Sequence, residues 1–296
     1  MIYAYPDYYE KFRCSAGSCR HSCCIGWEID IDEKSLARYD GTGGALGDEL
    51  RESISREGDA CFILREGERC PFLNSENLCR LIIEKGEAFL CDICRDHPRF
   101  RSFLPGRTEI GLGLCCEEAA RLIITQEEPV CLIESGKDEH DEETENIVNG
   151  RKELFGIVQN RGLDLSSRMD QLLSFYDISL PEKTPAQWAE FFLSLERLEE
   201  EWTVQLERLG TFEKFAVPRG TEFEQLLAYF LYRHVPECYD DFDADSKILF
   251  SVLSVLILCT LYDGSRENLI ELARLYSAEI EYSDENLELI YDELMK

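Results

Sequence analysis

The placement of cysteine is the feature that most constrains what this chain can fold into. Eleven of its 14 cysteines lie within residues 1–116. They are Cys14, Cys19, Cys23 and Cys24; Cys61; Cys70 and Cys79; Cys91 and Cys94; and Cys115 and Cys116. Thiolates a few residues apart can converge on one metal ion or cluster, because a short turn brings their sulfurs to one side of the backbone. The pattern therefore predicts a metal site.

A disulfide framework is the alternative interpretation of the same cysteines. Residues 1–10 have no positively charged start, no apolar stretch and no small-residue cleavage site, which predicts a cytoplasmic protein that keeps its thiols reduced. A chain of 296 residues can also bury a core without covalent cross-links. Metal binding is therefore favoured. Three cysteines stand apart from the groups and are predicted to be packing residues: Cys131, Cys238 and Cys259.

Charge is distributed unevenly along the chain. Residues 1–116 carry 15 Lys and Arg against 20 Asp and Glu, whereas the remaining residues carry 16 against 40 and so hold most of the net charge of −29. Such an acidic surface repels phosphate, which excludes nucleic acid as an expected partner, and it gives no reason to expect membrane binding. It suits a basic or lysine-bearing protein partner, although ordinary solubility explains it equally well.

The sequence predicts a mainly α protein in three segments. Residues 1–116 form a cysteine-rich, irregular metal-binding domain with a short strand pair, and residues 26–31 alternate like a strand. Residues 117–149 form an acidic connecting segment, because residues 134–146 are too acidic to pack. Residues 150–296 form an α-helical domain.

Helix signals are strong in the last of these segments. Apolar residues recur at three- and four-residue steps from Pro185 to Gly210, which predicts one helix. Thr221 begins a capping-box pattern with the glutamate three residues later. Residues 246–261 are apolar almost all round, which predicts a central buried helix that is too short to span a membrane. Ser283 is predicted to cap the last helix.

Two cysteine motifs and a C-terminal stretch carry a family resemblance. The motifs are FRCSAGSCRHSCCIGWEIDID at residues 12–32 and CPFLNSENLCRLIIEKGEAFLCDICRDHPR at residues 70–99. The later stretch is ARLYSAEIEYSDENLELIY. Together they resemble the flagellin lysine-N-methylase family, which is similar to a broader set of proteins with a zinc- or iron-chelating cysteine cluster. One departure is His97 before Pro98 and Arg99, where the family usually has an aromatic residue.

The resemblance implies methyl transfer from S-adenosylmethionine to lysine side chains of flagellin or a similar protein, in an enzyme with an iron–sulfur cluster. Four thiolates suffice for either a [4Fe–4S] cluster or zinc, so the residues alone leave the metal open. Cys70, Cys79, Cys91 and Cys94 are the expected ligands of one site. Four further cysteines are expected either to contribute to that site or to form a second one: Cys14, Cys19, Cys23 and Cys24. Cys115 is a further candidate ligand.

The site for S-adenosylmethionine has little signal of its own. Residues 40–44 are glycine-rich but follow a helical stretch rather than a buried strand, so they are predicted to form a turn. Arg95 and Arg99 are the candidate residues for binding the methionine carboxylate, with a structural salt bridge as the alternative role. No catalytic base is assigned. The alternative function is an iron–sulfur or zinc-binding carrier or adaptor without methyltransferase activity.

Overall fold

The fold was analysed in a computed structural model, which describes residues 1–137, 141–237 and 241–296. The chain forms two compact units. The first, here called the helical unit, consists of Met1–Phe12 together with Phe100–Lys296. The second, here called the thiol unit, consists of Arg13–Arg99.

The boundaries of these units differ from those predicted from the sequence. Residues 1–12 and 100–116, which were expected in the cysteine-rich domain, are part of the helical unit. The reason is packing, because Tyr8 and Leu114 are buried in the same core as the helices. The expected connecting segment 117–149 also contains buried helical residues and contributes to that core.

Six strands occur in the described residues, in two sheets. They are β1 (Ile2–Pro6), β2 (Ile54–Ser55), β3 (Cys61–Phe62), β4 (Arg99–Leu104), β5 (Arg107–Leu112) and β6 (Leu132–Gly136). The larger sheet has the order β4-β5-β1-β6, with β1 parallel to β5 and antiparallel to β6. The antiparallel pair of β2 and β3 confirms the predicted short strand pair. The strand predicted at residues 26–31 does not form; Ile25 and Asp30 make only isolated bridges there.

The described residues are mainly helical, as predicted. Four α-helices lie in the thiol unit: α1 (Glu33–Asp40), α2 (Gly44–Glu52), α3 (Arg80–Lys85) and α4 (Asp92–Asp96). Nine lie in the helical unit: α5 (Glu117–Ile124), α6 (Glu142–Val158), α7 (Leu165–Phe175), α8 (Pro185–Leu193), α9 (Glu200–Leu209), α10 (Thr221–His234), α11 (Asp241–Leu261), α12 (Arg266–Tyr276) and α13 (Asp284–Leu294). A π-helical turn, Ser277–Glu281, continues α12. The glycine-rich residues 40–44 lie at the junction of α1 and α2, which confirms a turn.

Helix α11 is the central buried helix that the sequence predicted. The prediction that the run is too short to span a membrane is wrong, because the apolar stretch extends over Asp243–Leu261, which is long enough by length and composition. However, 83% of the 18-residue apolar window within this stretch is buried inside the structure. Two serines interrupt the apolar run, and both are satisfied, because the Ser251 and Ser254 hydroxyls donate to backbone carbonyls four residues earlier. The helix therefore packs as the core of the helical unit.

The single helix predicted from Pro185 to Gly210 is instead the pair α8 and α9. Two groups end the first helix and begin the second. The Arg197 guanidinium donates to the carbonyl of Leu193, the last residue of α8, and to that of Leu195, two residues after it. The carboxylate of Glu279 accepts from the backbone N–H groups at 198 and 199, at 2.8 and 2.6 Å, where α9 begins. Periodicity alone does not reveal a break that depends on a residue some eighty positions away.

The two capping predictions have different outcomes. The Ser283 hydroxyl accepts from the Asn286 backbone N–H at 3.3 Å, so the predicted cap of α13 is confirmed. The capping box at Thr221 is wrong, because Thr221 is already the first residue of α10 and Gly220 precedes it. Its expected partner, Glu224, is buried and bonded to arginines instead of reaching back to the cap.

We expect Leu253→Ala to lower the free energy of unfolding of the helical unit by about 2–5 kcal/mol, because Leu253 is fully buried in α11. The matched control is Val204→Ala on α9, where the side chain is 52% exposed. The control should change stability by less than about 0.5 kcal/mol. Urea unfolding measures both, and equal effects would contradict the burial of α11.

Candidate functional sites

Five cysteines of the thiol unit are neighbours in one core. Backbone contacts bring their segments together: the Cys70 N–H donates to the Cys24 carbonyl at 2.8 Å, and Cys79 forms a bridge with Leu73. Cys79 directly precedes α3, and Cys91 directly precedes α4, which contains Cys94. The structure therefore brings together Cys70, Cys79, Cys91 and Cys94, and of the other expected group Cys24 lies with them.

Helix α1 holds the segment that carries Cys91 and Cys94. The Asp32 carboxylate caps α1 through the Ser35 N–H at 2.8 Å and also accepts from the Asp92 N–H, at the start of α4, at 2.9 Å. Arg38 donates to the carbonyl of residue 90 at 2.9 Å. One aspartate and one arginine of α1 thus fix the position of the last two cysteines.

Burial and mutual repulsion set the protonation of these thiols. Burial, together with the smaller effect of the nearby Cys24, Cys79 and Cys91, raises the pKa of Cys70 to about 12. The hydrogen bond with Cys23 lowers the pKa of Cys24 to about 7. Hydrogen bonding with its neighbour Cys94 lowers the pKa of Cys91, and the same bond raises that of Cys94. Several thiolates together in this core are unfavourable unless a cation accompanies them.

The thiols are chemically suited to bind a metal, but their side chains are not arranged as a complete set of metal ligands. Residues 1–137, 141–237 and 241–296 contain no group of three or more His, Cys, Asp or Glu side chains arranged so that it could hold a metal ion. Zinc and [4Fe–4S] clusters both take four thiolates, and five are available here, with Cys70 and Cys91 buried. The metal and its ligand set remain predictions.

The other expected ligands lie in different surroundings. Cys14 is exposed, and its sulfur accepts from the Ala16 N–H at 3.3 Å. The Cys19 thiol donates to the His21 carbonyl at 3.3 Å. Cys23 contacts the five-cysteine core through its hydrogen bond with Cys24. Cys115 belongs to the helical unit.

Arg95 and Arg99, the expected ligands of the methionine carboxylate, are engaged locally. Arg95 forms an ion pair with Asp92 at 2.6 Å and a longer contact with Asp96 at 3.9 Å. Arg99 donates to the Arg95 carbonyl at 3.4 Å. Their proposed binding role stays a prediction. The adjacent His97 packs against Trp27, and burial, with the charge of Arg99, lowers its pKa to about 4, so the imidazole is neutral at pH 7.

A buried polar network in the helical unit had no counterpart in the sequence analysis. Its centre is Glu281, which is fully buried at the end of the π-helical turn. The carboxylate contacts Arg233 Nε at 3.3 Å, His234 Nε2 at 2.8 Å and the Tyr229 hydroxyl at 3.0 Å. The Tyr291 hydroxyl bonds to His234 Nδ1 at 3.1 Å and extends the network. π-Helical turns are frequent at functional sites.

The network reaches the surface of the helical unit at Tyr282. Its side chain is 51% exposed, hydrogen-bonds to Cys115, and lies 4.9 Å from the Arg233 guanidinium. Burial raises the pKa of Cys115 to about 12. Glu281, Tyr282 and Tyr291 lie in the C-terminal stretch that resembles the methylases, and this was the only sequence signal for the network.

Comparison with curated proteins shows that this chain is related to the lysine-N-methylases. Lysine-N-methylase of Salmonella typhimurium is 27% identical over 137 residues, and that of Salmonella choleraesuis 26% identical over 137 residues. Each match covers 44% of this chain and 34% of the relative, so the chain spans about a third of the length of these relatives. The flagellar biosynthetic protein FliU of Salmonella muenchen is 26% identical over 135 residues, which are 43% of this chain and 79% of FliU. No family model and no solved structure matches.

We expect Glu281→Gln to lower the free energy of unfolding by about 3 kcal/mol at pH 7, because it leaves Arg233 buried without its counter-charge. The control is Glu288→Gln, at an exposed position of α13. Burial raises the pKa of Glu281, but Arg233 and His234 outweigh burial and lower it below its usual 4.5.

The stability that Glu281 contributes is therefore full above pH 4.5 and is lost as the pH falls through the depressed value. Urea unfolding as a function of pH should show the advantage of the wild type over Glu281→Gln shrinking below pH 4.5. An advantage that grows in acid would contradict this assignment.

Proposed function

We propose that the chain is an S-adenosylmethionine-dependent methyltransferase that acts on lysine side chains of flagellin or a similar protein in the cytoplasm. The observation that carries this proposal is the relationship to proteins named lysine-N-methylase. The flagellar name of a third relative supports flagellin as the substrate. The five-cysteine core of the thiol unit supports an iron–sulfur cluster in the same protein, with zinc as the alternative.

The proposed cluster is held by Cys70, Cys79, Cys91 and Cys94, with Cys24 as the neighbouring fifth thiol. Their segments are already fixed by backbone bonds and by α1, so binding requires movement of side chains more than of the chain. A bound [4Fe–4S] cluster supplies iron that can accept electrons or ligands, whereas zinc supplies only charge and cross-linking. The thiols must lose protons to bind either, so binding releases protons.

Methyl transfer to lysine sets a second requirement. The neutral amine forms the new N–C bond while the sulfonium C–S bond breaks, so the ammonium must lose its proton first. Of the 60 Asp and Glu residues of the chain, 40 lie beyond residue 116. Their negative charge attracts the lysine ammonium group of the substrate. Arg95 and Arg99 remain the proposed ligands of the methionine carboxylate, and there the carboxylate must compete with Asp92 for Arg95.

A carrier or adaptor without methyltransferase activity is the second candidate. The observation that favours it is the five-cysteine core, because a metal carrier would use the same thiols without a methyltransferase pocket. Incubation of anaerobically purified protein with S-adenosylmethionine and flagellin, followed by mass spectrometry of flagellin lysines, separates the two. Added mass of one or more methyl groups on lysine supports the enzyme. No methylation with protein that is folded and metal-loaded favours the carrier.

We expect Cys91→Ser and Cys94→Ser each to lose most of the bound metal, because both thiols lie in the five-cysteine core. The control is Cys131→Ser, since Cys131 is exposed in the helical unit and should leave the metal content unchanged. Cys14→Ser tests the second group of cysteines in the same way. Elemental analysis of anaerobically purified protein measures all four. Full metal content in the Cys91 and Cys94 variants would refute this ligand assignment.

Methylation of folded flagellin should slow with added salt if the acidic residues recruit the substrate. Charge attraction is screened over about 8–10 Å near physiological ionic strength, so the effect should appear as a higher KM at nearly constant kcat. Initial rates between roughly 50 and 500 mM NaCl measure it. A short lysine peptide of low net charge is the control and should show a weaker dependence. A KM for flagellin that does not change with salt would contradict charge recruitment.

A further inference from the structure

A cleft of about 430 Å³ lies within the thiol unit, between residues 65–69 and residues 74–77. This volume falls in the range of about 300–1,000 Å³ that small-molecule sites occupy. Cys70 and Leu73 also line the cleft. Cys70 is one of the five clustered cysteines, so a molecule bound in the cleft would lie beside that core.

Two arginines lie directly opposite each other in the cleft wall. Arg65 and Arg69 form an antiparallel bridge, in which the Arg65 N–H donates to the Arg69 carbonyl at 2.7 Å. Residues opposite each other in such a pair have Cβ atoms about 4.5–5.5 Å apart and side chains on the same face. Like charges in this arrangement repel, so the pair favours an anion between them.

The guanidinium group of Arg69 is anchored at the wall of the cleft. Its Nη2 donates to Asn77 Oδ1 at 2.7 Å and to the Asn74 carbonyl at 3.2 Å, and both asparagines line the cleft. Its Nε and Nη1 groups have no hydrogen-bond partner within the described part of the chain. Neither of these two nitrogens is fully buried, so both remain accessible to a ligand.

Arg65 offers further donors from the opposite position. Its side chain is 56% exposed, and its Nη2 donates to Glu49 at 3.2 Å. The other guanidinium N–H groups of Arg65 have no hydrogen-bond partner among the described residues. An arginine carries five N–H donors in a planar fork, which matches the oxygens of a carboxylate or phosphate. The two arginines can therefore bind one oxyanion together.

The loop on the other side of the cleft is held in place without a ligand. The Asn74 side-chain oxygen accepts from the backbone N–H groups of residues 76 and 78, both at 2.9 Å. The Asn74 N–H also donates to the Leu78 carbonyl at 3.0 Å. The cleft is therefore formed before a ligand binds, which lowers the entropic cost of binding.

We propose that this cleft binds the carboxylate or phosphate group of a small molecule. The group accepts from Arg65 and Arg69, and the rest of the ligand contacts Leu73 and Cys70. Charge agrees with an anion, because the wall has two arginines against one acid, Glu66. The whole chain carries a net charge of −29 and repels anions in general, so their binding requires a local positive site such as this one.

Two sources share this chemistry: a phosphate compound, and the methionine carboxylate of S-adenosylmethionine. The second source rests on the proposed function. It would place that carboxylate at Arg65 and Arg69, beside the five-cysteine core, instead of at Arg95 and Arg99. Binding is measured without flagellin, so the result does not depend on methyl transfer.

Three single substitutions in the thiol unit test the site. Arg65→Gln removes one guanidinium group at an exposed position, so the fold should be kept. Arg56→Gln is the matched control, because Arg56 is also ion-paired, its side chain is 46% exposed, and it lies outside the cleft wall. Glu66→Gln removes the acid of the wall and should have the opposite effect to Arg65→Gln.

Calorimetric titration of the anaerobically purified full chain at constant ionic strength measures binding. The probes are inorganic phosphate, S-adenosylmethionine, L-methionine and L-methioninamide, at up to about 10 mM, where a millimolar ligand saturates. We expect phosphate, S-adenosylmethionine or both to bind. Arg65→Gln should weaken that binding at least about fivefold, Glu66→Gln should tighten it about twofold or more, and Arg56→Gln should change it less than about twofold.

The outcomes separate the sources and decide the proposal. Binding of phosphate supports a phosphate compound. Binding of methionine or S-adenosylmethionine, with methioninamide at least about fivefold weaker than methionine, supports the methionine carboxylate. Absence of binding by phosphate, methionine and S-adenosylmethionine would overturn the proposal, and so would equal affinities in Arg65→Gln and Arg56→Gln. Binding that depends on Arg65, without methylation of flagellin, counts against the proposed function and not against this site.

Discussion

The contact among the five thiols is the constraint on which the thiol unit depends. Besides Cys70 and Cys91, the core of Arg13–Arg99 has only ten buried apolar side chains: Ile29, Ile31, Tyr39, Leu50, Ile54, Phe62, Phe72, Leu73, Leu81 and Leu90. Units of this size bury a small share of their surface and are often stabilised by a metal or a cross-link. The sulfurs of the five cysteines pack among these apolar side chains. The proposed metal would convert a repulsive group of thiolates into a cross-link for this small core.

Three buried carboxylates of the helical unit are each paired with arginine. Glu109 binds Arg107 and Arg151, Glu224 binds two arginines, and Glu281 binds Arg233. Buried ion pairs add little net stability, but removing one partner is costly, so they fix which elements meet. The network at Glu281 also coincides with the π-helical turn.

Sequence patterns predicted the features that depend on neighbouring residues, such as a helix cap or a buried helix. Features that depend on contacts between distant residues were not predicted. The Ser283 cap and the buried α11 were predictable because the hydroxyl and the apolar run act within a few residues. The break between α8 and α9 depends on Glu279, and the failed capping box depends on the burial of Glu224, neither of which a periodic pattern encodes. Charged residues such as Arg151 are ordinarily interpreted as surface, so its burial against Glu109 was not foreseen. Cysteine spacing predicted that Cys70, Cys79, Cys91 and Cys94 lie together, but it left open whether Cys24 joins them, because that depends on a long-range backbone bond to Cys70.

Hydrogen–deuterium exchange before and after treatment with a chelator tests whether the proposed metal holds the thiol unit together. We expect exchange to rise throughout peptides from residues 13–99 when the metal is removed, because the thiol unit would lose its cross-link. Peptides from the buried stretch 223–231 of α10 should keep their protection, since their core contains none of the five clustered cysteines. Unchanged exchange in residues 13–99 after complete metal removal would show that the thiol unit does not depend on a metal.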